Sequence, residues 1–534
     1  MTLNRRAFLK QVGVGTAGVG LLSFVPACKT ASQAGGSSKL PRSRPEAEGV
    51  SSAGLLAFLD AIQSSKHEMH SFMLVRHGRV VAEGWWSPYG PQSNHTLYSL
   101  SKSFTSTAVG FAVAEGKLRV NDRVVSFFPK DLPENVNEHL AALRVKDLLT
   151  MTVGNAKEPT RSMVDQDNWV KTFLAWSIEN PPGTQFLYNS AATYMLSAIV
   201  QQVTGQKILD YLGPRLFQPL GIQGATWETC PRGINAGGWG LSIQTEGLAK
   251  FGQLYLQKGA WHDRQILPAQ WVKEATTFKI QQPAPPKPNR PNDQNDWLRG
   301  YCYQFWRCRH NAFRGDGAFG QLMIVMPGQD AVLAITAETS DMQGELDLVW
   351  EHLLPAMKPM PLPRDPHSEA QLPERLCSLV LTTPQGQPSS PAESRISGRV
   401  FKLDNNELGI ESALFGFGGD ECIFKMKDRE TEYSIECGIG RWRRGETSLP
   451  GTPPRLISGG APPRGTKSKL AASGTWADPK TFVMVFRYYE TAHHDRVTCR
   501  FDDSQVQITF INSMAQMSPT PKDPRPVLLG TMLG

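Results

Sequence analysis

Past its first 28 residues the chain contains no unbroken apolar run near the ~18 residues that a spanning helix needs, so no transmembrane helix is expected there. It has no tandem repeat of fixed period, which excludes solenoids and propellers. It has no Cys-x-x-Cys and no His pair in register with its cysteines, so no zinc site is expected. Charge of one sign is also scarce: 56 basic residues face 49 acidic ones over 534 residues. Three of those basic residues (Arg5, Arg6 and Lys10) lie in an acid-free leader, so a chain starting at Cys28 would carry only +4. That is too weak and too scattered for a nucleic-acid partner, which clusters Lys and Arg on one face. With 40% apolar and 20% charged residues the composition is that of a globular chain. The length suggests two to four domains at about 150 residues each.

Residues 1–28 have the form of an export signal: basic Asn4-Arg5-Arg6-Ala7-Phe8-Leu9-Lys10, an uncharged Gly/Val-rich stretch, then Val25-Pro26-Ala27-Cys28. The first part resembles the twin-arginine pattern. The last resembles a lipobox, in which Cys28 is acylated and tethers the protein to a membrane. The expected location is the periplasm or cell envelope, as a lipoprotein. Residues 29–45 read as a tether. The other seven cysteines (230, 302, 308, 377, 422, 437 and 499) are expected to be mostly buried small apolar residues, with Cys422–Cys437 a possible hairpin bridge.

Residues 46–358 mix helix and strand signals. Helices are expected at Ser51–Ser65, Thr96–Ala114, Asn189–Val203, Thr245–Leu256, Ala269–Thr276 and Gly344–Leu354. Strands are expected on either side of His77-Gly78 and at Leu322–Val325 and Ala331–Ile335. Strand-rich ends around a helical middle predict an α+β body. Segment 359–395, rich in Pro, Ser and Gln, reads as a linker in which Leu376–Leu381 can pack. In 396–534 short alternating runs such as Glu421–Met426 and Thr481–Tyr489 predict an all-β barrel or sandwich.

Ser99-Leu100-Ser101-Lys102 is the only Ser-x-x-Lys of the chain. On a helix, i and i+3 share a face, so Ser99 Oγ and Lys102 Nζ can meet. Lys102 is the one charged residue of the apolar stretch 96–114. Desolvation lowers a lysine pKa and frees the amine to act as a base. A serine needs such a base to become a nucleophile.

Tyr98–Phe104 resembles the first active-site motif of the serine β-lactamase and penicillin-binding-protein superfamily. Further segments follow in the superfamily's order: Leu148–Thr152, Pro182-Gly183 with Tyr188-Asn189-Ser190, Gly237–Ser242 and Gly317–Gln321. The likeness is closest to the class C branch, with its esterases, D-alanyl carboxypeptidases and 6-aminohexanoate-dimer hydrolase. It implies a β-lactamase-like antiparallel sheet flanked by helices with a helical subdomain, and a C-terminal barrel such as some members carry. It also implies an acyl-serine mechanism without metal or organic cofactor. Ser99 would be the nucleophile, Lys102 or Tyr188 the base, and the Ser99 and Ala318 amides the oxyanion hole. Ser190 stands where the superfamily has Asn. Gly315-Asp316-Gly317 replaces a third motif that normally starts with a cation, which argues against anionic substrates such as penicillins. Asp316, Gly317, Ser190 and Trp239 are the expected substrate-binding residues, Trp239 with Trp169 as a possible acyl-pocket lining. His493-His494 reads as a solvated loop. The expected function is an exported serine hydrolase for a small ester, amide or peptide. The alternatives are a cell-wall D-alanyl peptidase or β-lactamase, and a catalytically silent envelope lipoprotein.

Overall fold

A six-stranded antiparallel sheet forms the centre of the first two-thirds of the chain. The computed structural model describes residues 39–285, 290–450 and 466–534. The leader, with Cys28, lies outside the described residues. The strands are β1 (Glu68–Arg76), β2 (Arg79–Trp85), β3 (Trp306–Arg307), β4 (Phe313–Gly317), β5 (Gln321–Met326) and β6 (Ala331–Glu338), in spatial order β2-β1-β6-β5-β4-β3. The hairpin turns are the ones the sequence marks: His77-Gly78 joins β1 to β2, and Pro327-Gly328 lies between β5 and β6.

Both faces of this sheet are covered, which is why β5 and β6 are apolar without a break. Successive side chains still part to opposite sides. Phe72, Leu74, Ile324 and Leu333 pack with α1 (Ser52–Ser64) on one face. Met73, Val75, Met323 and Val332 belong to the larger core on the other face, with α2 (Ser101–Ala114), α3 (Ser190–Thr204) and α4 (Thr245–Leu256). In α2 every residue from Ser101 to Ala112 is buried. The Phe104 ring stacks on Phe251 of α4 at 3.8 Å. Helix starts are capped by side chains: Ser51 Oγ accepts from Gly54 N–H at the start of α1, and Asn189 Oδ1 from Ala192 N–H at the start of α3.

Three local expectations are corrected. The helix read from Thr96 begins only at Ser101. His95–Thr96 instead pairs as a short strand with Ser242–Ile243, and residues 98–100 form a single 3-10 turn. Segment 359–395 is not a bare linker. It contains α6 (Pro366–Cys377), capped by Asp365, whose Leu372 is buried with Leu379 and Leu381 against the α1 face of the sheet. The helix near the end of the sheet body, α5 (Met342–Leu348), continues as a π-turn over Val349–Leu353.

Residues 400–532 hold a closed barrel. Its strands are β7 (Val400–Leu403), β8 (Ser412–Gly418), β9 (Glu421–Lys427), β10 (Glu432–Ile439), β11 (Arg443–Thr447), β12 (Ser468–Asp478), β13 (Thr481–Arg487), β14 (His494–Asp502), β15 (Gln505–Asn512) and β16 (Leu528–Met532). Nine of them form a ring in the order β10-β9-β8-β7-β16-β15-β14-β13-β12. The parallel pairing of β10 with β12 closes it, and β11 adds to β12. Closure removes the sheet edges. Inward residues such as Phe401, Phe415, Phe482 and Phe501 fill the interior. Cys422 and Cys437 face each other directly across β9 and β10 as free, buried thiols.

The barrel is not detached from the sheet body: the described chain forms one compact unit. The Arg487 guanidinium of β13 grips both oxygens of Glu68 in β1, at 2.6 and 2.7 Å. No helix among the described residues is long and apolar enough to cross a membrane.

Candidate active site

The chain reaches Ser99 through an unusual backbone. Tyr98 has φ +49°, a left-handed conformation that a bulky L-residue rarely adopts. Ser101 Oγ donates to Tyr98 O at 2.6 Å and accepts from Leu241 N–H at 3.1 Å, pinning the turn to the Gly237–Ser242 segment. Ser99 is thereby left partly exposed, while its neighbours Tyr98 and Leu100 are buried.

Lys102 follows one turn later and is 2% exposed. Its Nζ lies 2.9 Å from Ser99 Oγ and 2.7 Å from Gly238 O. Among the described residues no carboxylate lies in ion-pair contact with it. Glu158 and Asp316 act on it only from a distance and favour its charged form, whereas burial dominates and brings the amine down to about 7.

Tyr188 closes the other side. Its ring lies 4.9 Å from Lys102 Nζ and stacks on Trp306 at 5.7 Å. The segment before it is fixed by Leu187 N–H donating to Met151 O at 2.9 Å. Burial, aided by the Asp316 charge, pushes the Tyr188 phenol far above its ordinary range, and its approach to Ser99 offsets only part of this. The structure thus brings Ser99, Lys102 and Tyr188 together. Ser190 is beside them at the start of α3, partly exposed.

The end of β4 supplies the facing wall. A Cβ on Gly317 would sit 2.0 Å from Leu97 O and 3.0 Å from Tyr98 Cβ, so only glycine lets β4 approach the Ser99 turn this closely. Ala318 follows, exposed, in the turn to β5.

Two sequence expectations for this wall are corrected. Asp316, expected to bind substrate, is not open to one. It is 7% exposed and bound by Arg314, with Nε and Nη2 at 3.0 and 2.9 Å from Oδ2. A cation is therefore present one residue upstream of the position where the superfamily carries one. It is itself fully buried and stacks on Trp297 at 4.3 Å. Trp239 does not line an open pocket: it is 1% exposed and packs on Trp169 with ring centroids 5.6 Å apart. A flat indole pair of this size fills the core beneath the loop instead.

Several residues around the site carried no motif. Glu158 Oε1 accepts from Ser190 N–H at 2.9 Å, placing a carboxylate on the exposed N–H groups at the start of α3. Gln304 donates to Leu148 O and Leu149 O at 3.1 and 2.9 Å and accepts from Thr193 Oγ1 at 2.7 Å, tying the 148–152 segment to α3. His493, expected in solvent, is fully buried against the site's floor. Its Nδ1 lies 2.6 Å from Glu338 Oε1, and its Nε2 bonds the Tyr98 hydroxyl. Glu68, Glu338 and His494 bring ligand-type atoms within 4.8 Å of one another. Arg487 on Glu68 and His493 with Ser513 on Glu338 already supply their hydrogen bonds.

The beta-lactamase family model matches residues 64–355, more than half of the chain. The chain belongs to the beta-lactamase family. The match spans the sheet, α2, α3 and the site residues from Glu68 to Glu338, but not those of the barrel. Within the family, the 6-aminohexanoate-dimer hydrolase of Paenarthrobacter ureafaciens is 26% identical over 220 residues, 38% of this chain and 56% of that protein. A beta-lactamase of Escherichia coli strain K12 is 27% identical over 148 residues, 27% of this chain and 37% of that protein. The chain thus spans from about a third to just over half of the length of these curated relatives. Among solved structures, the octameric penicillin-binding protein homologue from Pyrococcus abyssi aligns over 89% of this chain and 99% of its own, at 15% identity and a TM-score of 0.46.

Proposed function

We propose that this beta-lactamase-family protein is an exported serine hydrolase that cleaves a small ester or amide through an acyl-Ser99 intermediate. One observation carries the reading: a partly exposed hydroxyl 2.9 Å from a buried amine whose pKa is brought down to about 7. Near neutral pH that amine is free for part of the time to accept the Ser99 proton.

Ser99 Oγ attacks the carbonyl carbon while its proton moves to Lys102 Nζ. The Ser99 and Ala318 amides receive the developing oxyanion. The C–O or C–N bond then breaks, and the leaving group takes a proton through Tyr188. Water attacks the acyl-serine by the reverse proton path and releases the acid. Lys102 is assigned as base and Tyr188 as proton donor, because burial lowers the proton affinity of one and raises that of the other. The named relatives include a 6-aminohexanoate-dimer hydrolase and a beta-lactamase, which supports acyl transfer as the reaction class.

A neutral substrate is favoured over an anionic one. Arg314 is fully buried and engaged by Asp316, so it offers no open guanidinium to a substrate carboxylate. Export by the twin-arginine route, with a lipid on Cys28, is proposed from the leader sequence alone. The test is labelling by a fluorophosphonate, followed by turnover of a p-nitrophenyl ester and a chromogenic cephalosporin. Labelling is expected at Ser99 and is lost in Ser99→Ala, with the ester turned over faster. No labelling of the wild type would overturn the hydrolase reading, and a faster cephalosporin would overturn the substrate preference.

A further inference from the structure

The turn that carries the nucleophile and the turn that carries the facing amide share an unusual feature. Tyr98, immediately before Ser99, has φ +49°, and Phe319, immediately after Ala318, has φ +66°. Each proposed oxyanion donor is therefore flanked by an aromatic residue in a conformation unfavourable to it. Such backbone persists only where the surroundings over-determine it.

The two rings meet each other edge-on at 5.3 Å, and both meet the same imidazole. His493 lies 5.8 Å from the Tyr98 ring and 4.7 Å from the Phe319 ring, each time nearly perpendicular. The Tyr98 hydroxyl also bonds His493 Nε2. His493 belongs to neither turn. It arrives from the barrel, between β13 and β14, some 390 residues along the chain from Tyr98.

The imidazole is itself fixed. Glu338, at the end of β6, faces His493 Nδ1 at 2.6 Å, and Ser513 Oγ lies 3.3 Å from the same nitrogen. The histidines around Glu338 hold its carboxyl down at about 2, so it is an acceptor at working pH. In the tautomer whose Nδ1–H donates to Glu338, Nε2 is the acceptor for the Tyr98 O–H.

We propose that His493 is a positioning residue supplied by the barrel: held by Glu338, it clasps Tyr98 and Phe319 and so sets the spacing of the Ser99 and Ala318 amides that receive the oxyanion. The barrel is on this view part of the catalytic apparatus, although none of its described residues touches Ser99, Lys102 or Tyr188. The proposal rests on the acyl-serine reading above.

The experiment uses the full chain. Tyr98→Phe removes one hydroxyl and keeps the ring packing, so it separates the hydrogen bond from the fold. It is expected to lower kcat for a p-nitrophenyl ester by roughly 10- to 100-fold with KM nearly unchanged, the pattern of a displaced oxyanion donor. Fluorophosphonate labelling of Ser99 should slow in parallel, while the melting temperature stays close to that of the wild type. His493→Ala should cost at least as much, and in combination with Tyr98→Phe no more than His493→Ala alone, because both act through one contact. His493→Gln, which restores an acceptor near Nε2, should recover part of the rate with Tyr98 present and none with Phe at that position.

Wild-type labelling together with an unchanged kcat in Tyr98→Phe would overturn the positioning role and leave the hydrolase reading standing. Additive losses in the double variant would do the same. An unlabelled wild type would take down both.

Discussion

Two buried polar clusters lie on either side of the Ser99 turn, and they are bonded in opposite ways. On the barrel side charges are matched: Glu68 has Arg487 on both oxygens, and Glu338 has His493, His494 and Ser513. On the reactive side one ion pair, Asp316 with Arg314, stands beside groups that have none. Lys102 has a hydroxyl and a carbonyl for partners, and its amine is driven toward the neutral form. Beneath the Ala318–Gly320 turn, Glu345 of α5 is fully buried, and neither carboxyl oxygen has a hydrogen bond among the described residues. Burial pushes that carboxyl well above its ordinary range, so it too is driven toward neutrality. The matched cluster joins two parts of a fold. The unmatched groups surround the place where a proton has to move. Mismatch is the mark of the reactive side, and it carries a stability cost that matched ion pairs avoid.

Replacing one cation from each cluster breaks the comparison open. Lys102→Met should abolish ester turnover, by about 10³-fold or more as for other removed bases in a concerted site. It should also stabilise the fold below about pH 7, because it removes an amine whose protonated form burial disfavours. The gain depends on pH with a fixed sign. The unfolded chain holds the lysine proton up to about 10.5 and the folded chain only below about 7. Between those values the unfolded state binds more protons, so the wild type gains stability as pH rises. The advantage of Lys102→Met should therefore be greatest near pH 6 and should shrink toward pH 10, as denaturant titration at both values will read. Arg487→Met should do the reverse. It leaves the partly exposed Glu68 without its guanidinium, with His70 Nε2 still 3.2 Å away, and should cost about 1–3 kcal/mol. A stabilised Arg487→Met or a destabilised Lys102→Met would remove the distinction between the clusters.

The same contrast explains what could be read from the chain alone. Ser99 and Lys102 are legible because i and i+3 on a helix need no tertiary information to meet. Strands β5 and β6 and helix α4 are legible from unbroken or periodic apolar runs with clear turn residues at their ends. Arg314 was open to reading as well. It lies two residues before Asp316, and i and i+2 share a face of a strand. A motif that expects its cation elsewhere hides this. The spacing of Leu372, Leu376 and Leu379 is likewise helical, but proline and serine around it dominate the composition of 359–395. His493 is different in kind. His493-His494 sits in a polar stretch, and its partners Tyr98 and Glu338 are 395 and 155 residues away. Contacts made by docking a barrel on a sheet leave no local signal. Glu158 is hidden for the same reason, since its partners at the start of α3 are some 30 residues along the chain.

The smallest effect sharpens the comparison most, because it asks how isolated Lys102 is. If the neutral amine is the base, kcat/KM for an ester should fall about tenfold per pH unit on the acid side and level off above an inflection near 7. Asp316 is the one acid of the facing wall that acts on this lysine, and it does so without touching it. Its negative charge favours the protonated amine. Asp316→Asn should therefore move the inflection to lower pH. The freed Arg314 guanidinium, no longer bonded at 2.9 Å, pushes in the same direction. Activity at pH 6 should rise relative to that at pH 8, with a modest loss of the plateau rate as Arg314 loses its anchor. An inflection that stays in place would mean that Arg314 fully neutralises the field of Asp316 at the lysine. A shift to higher pH is incompatible with Lys102 as the titrating base, since removing a negative charge cannot raise the proton affinity of an amine.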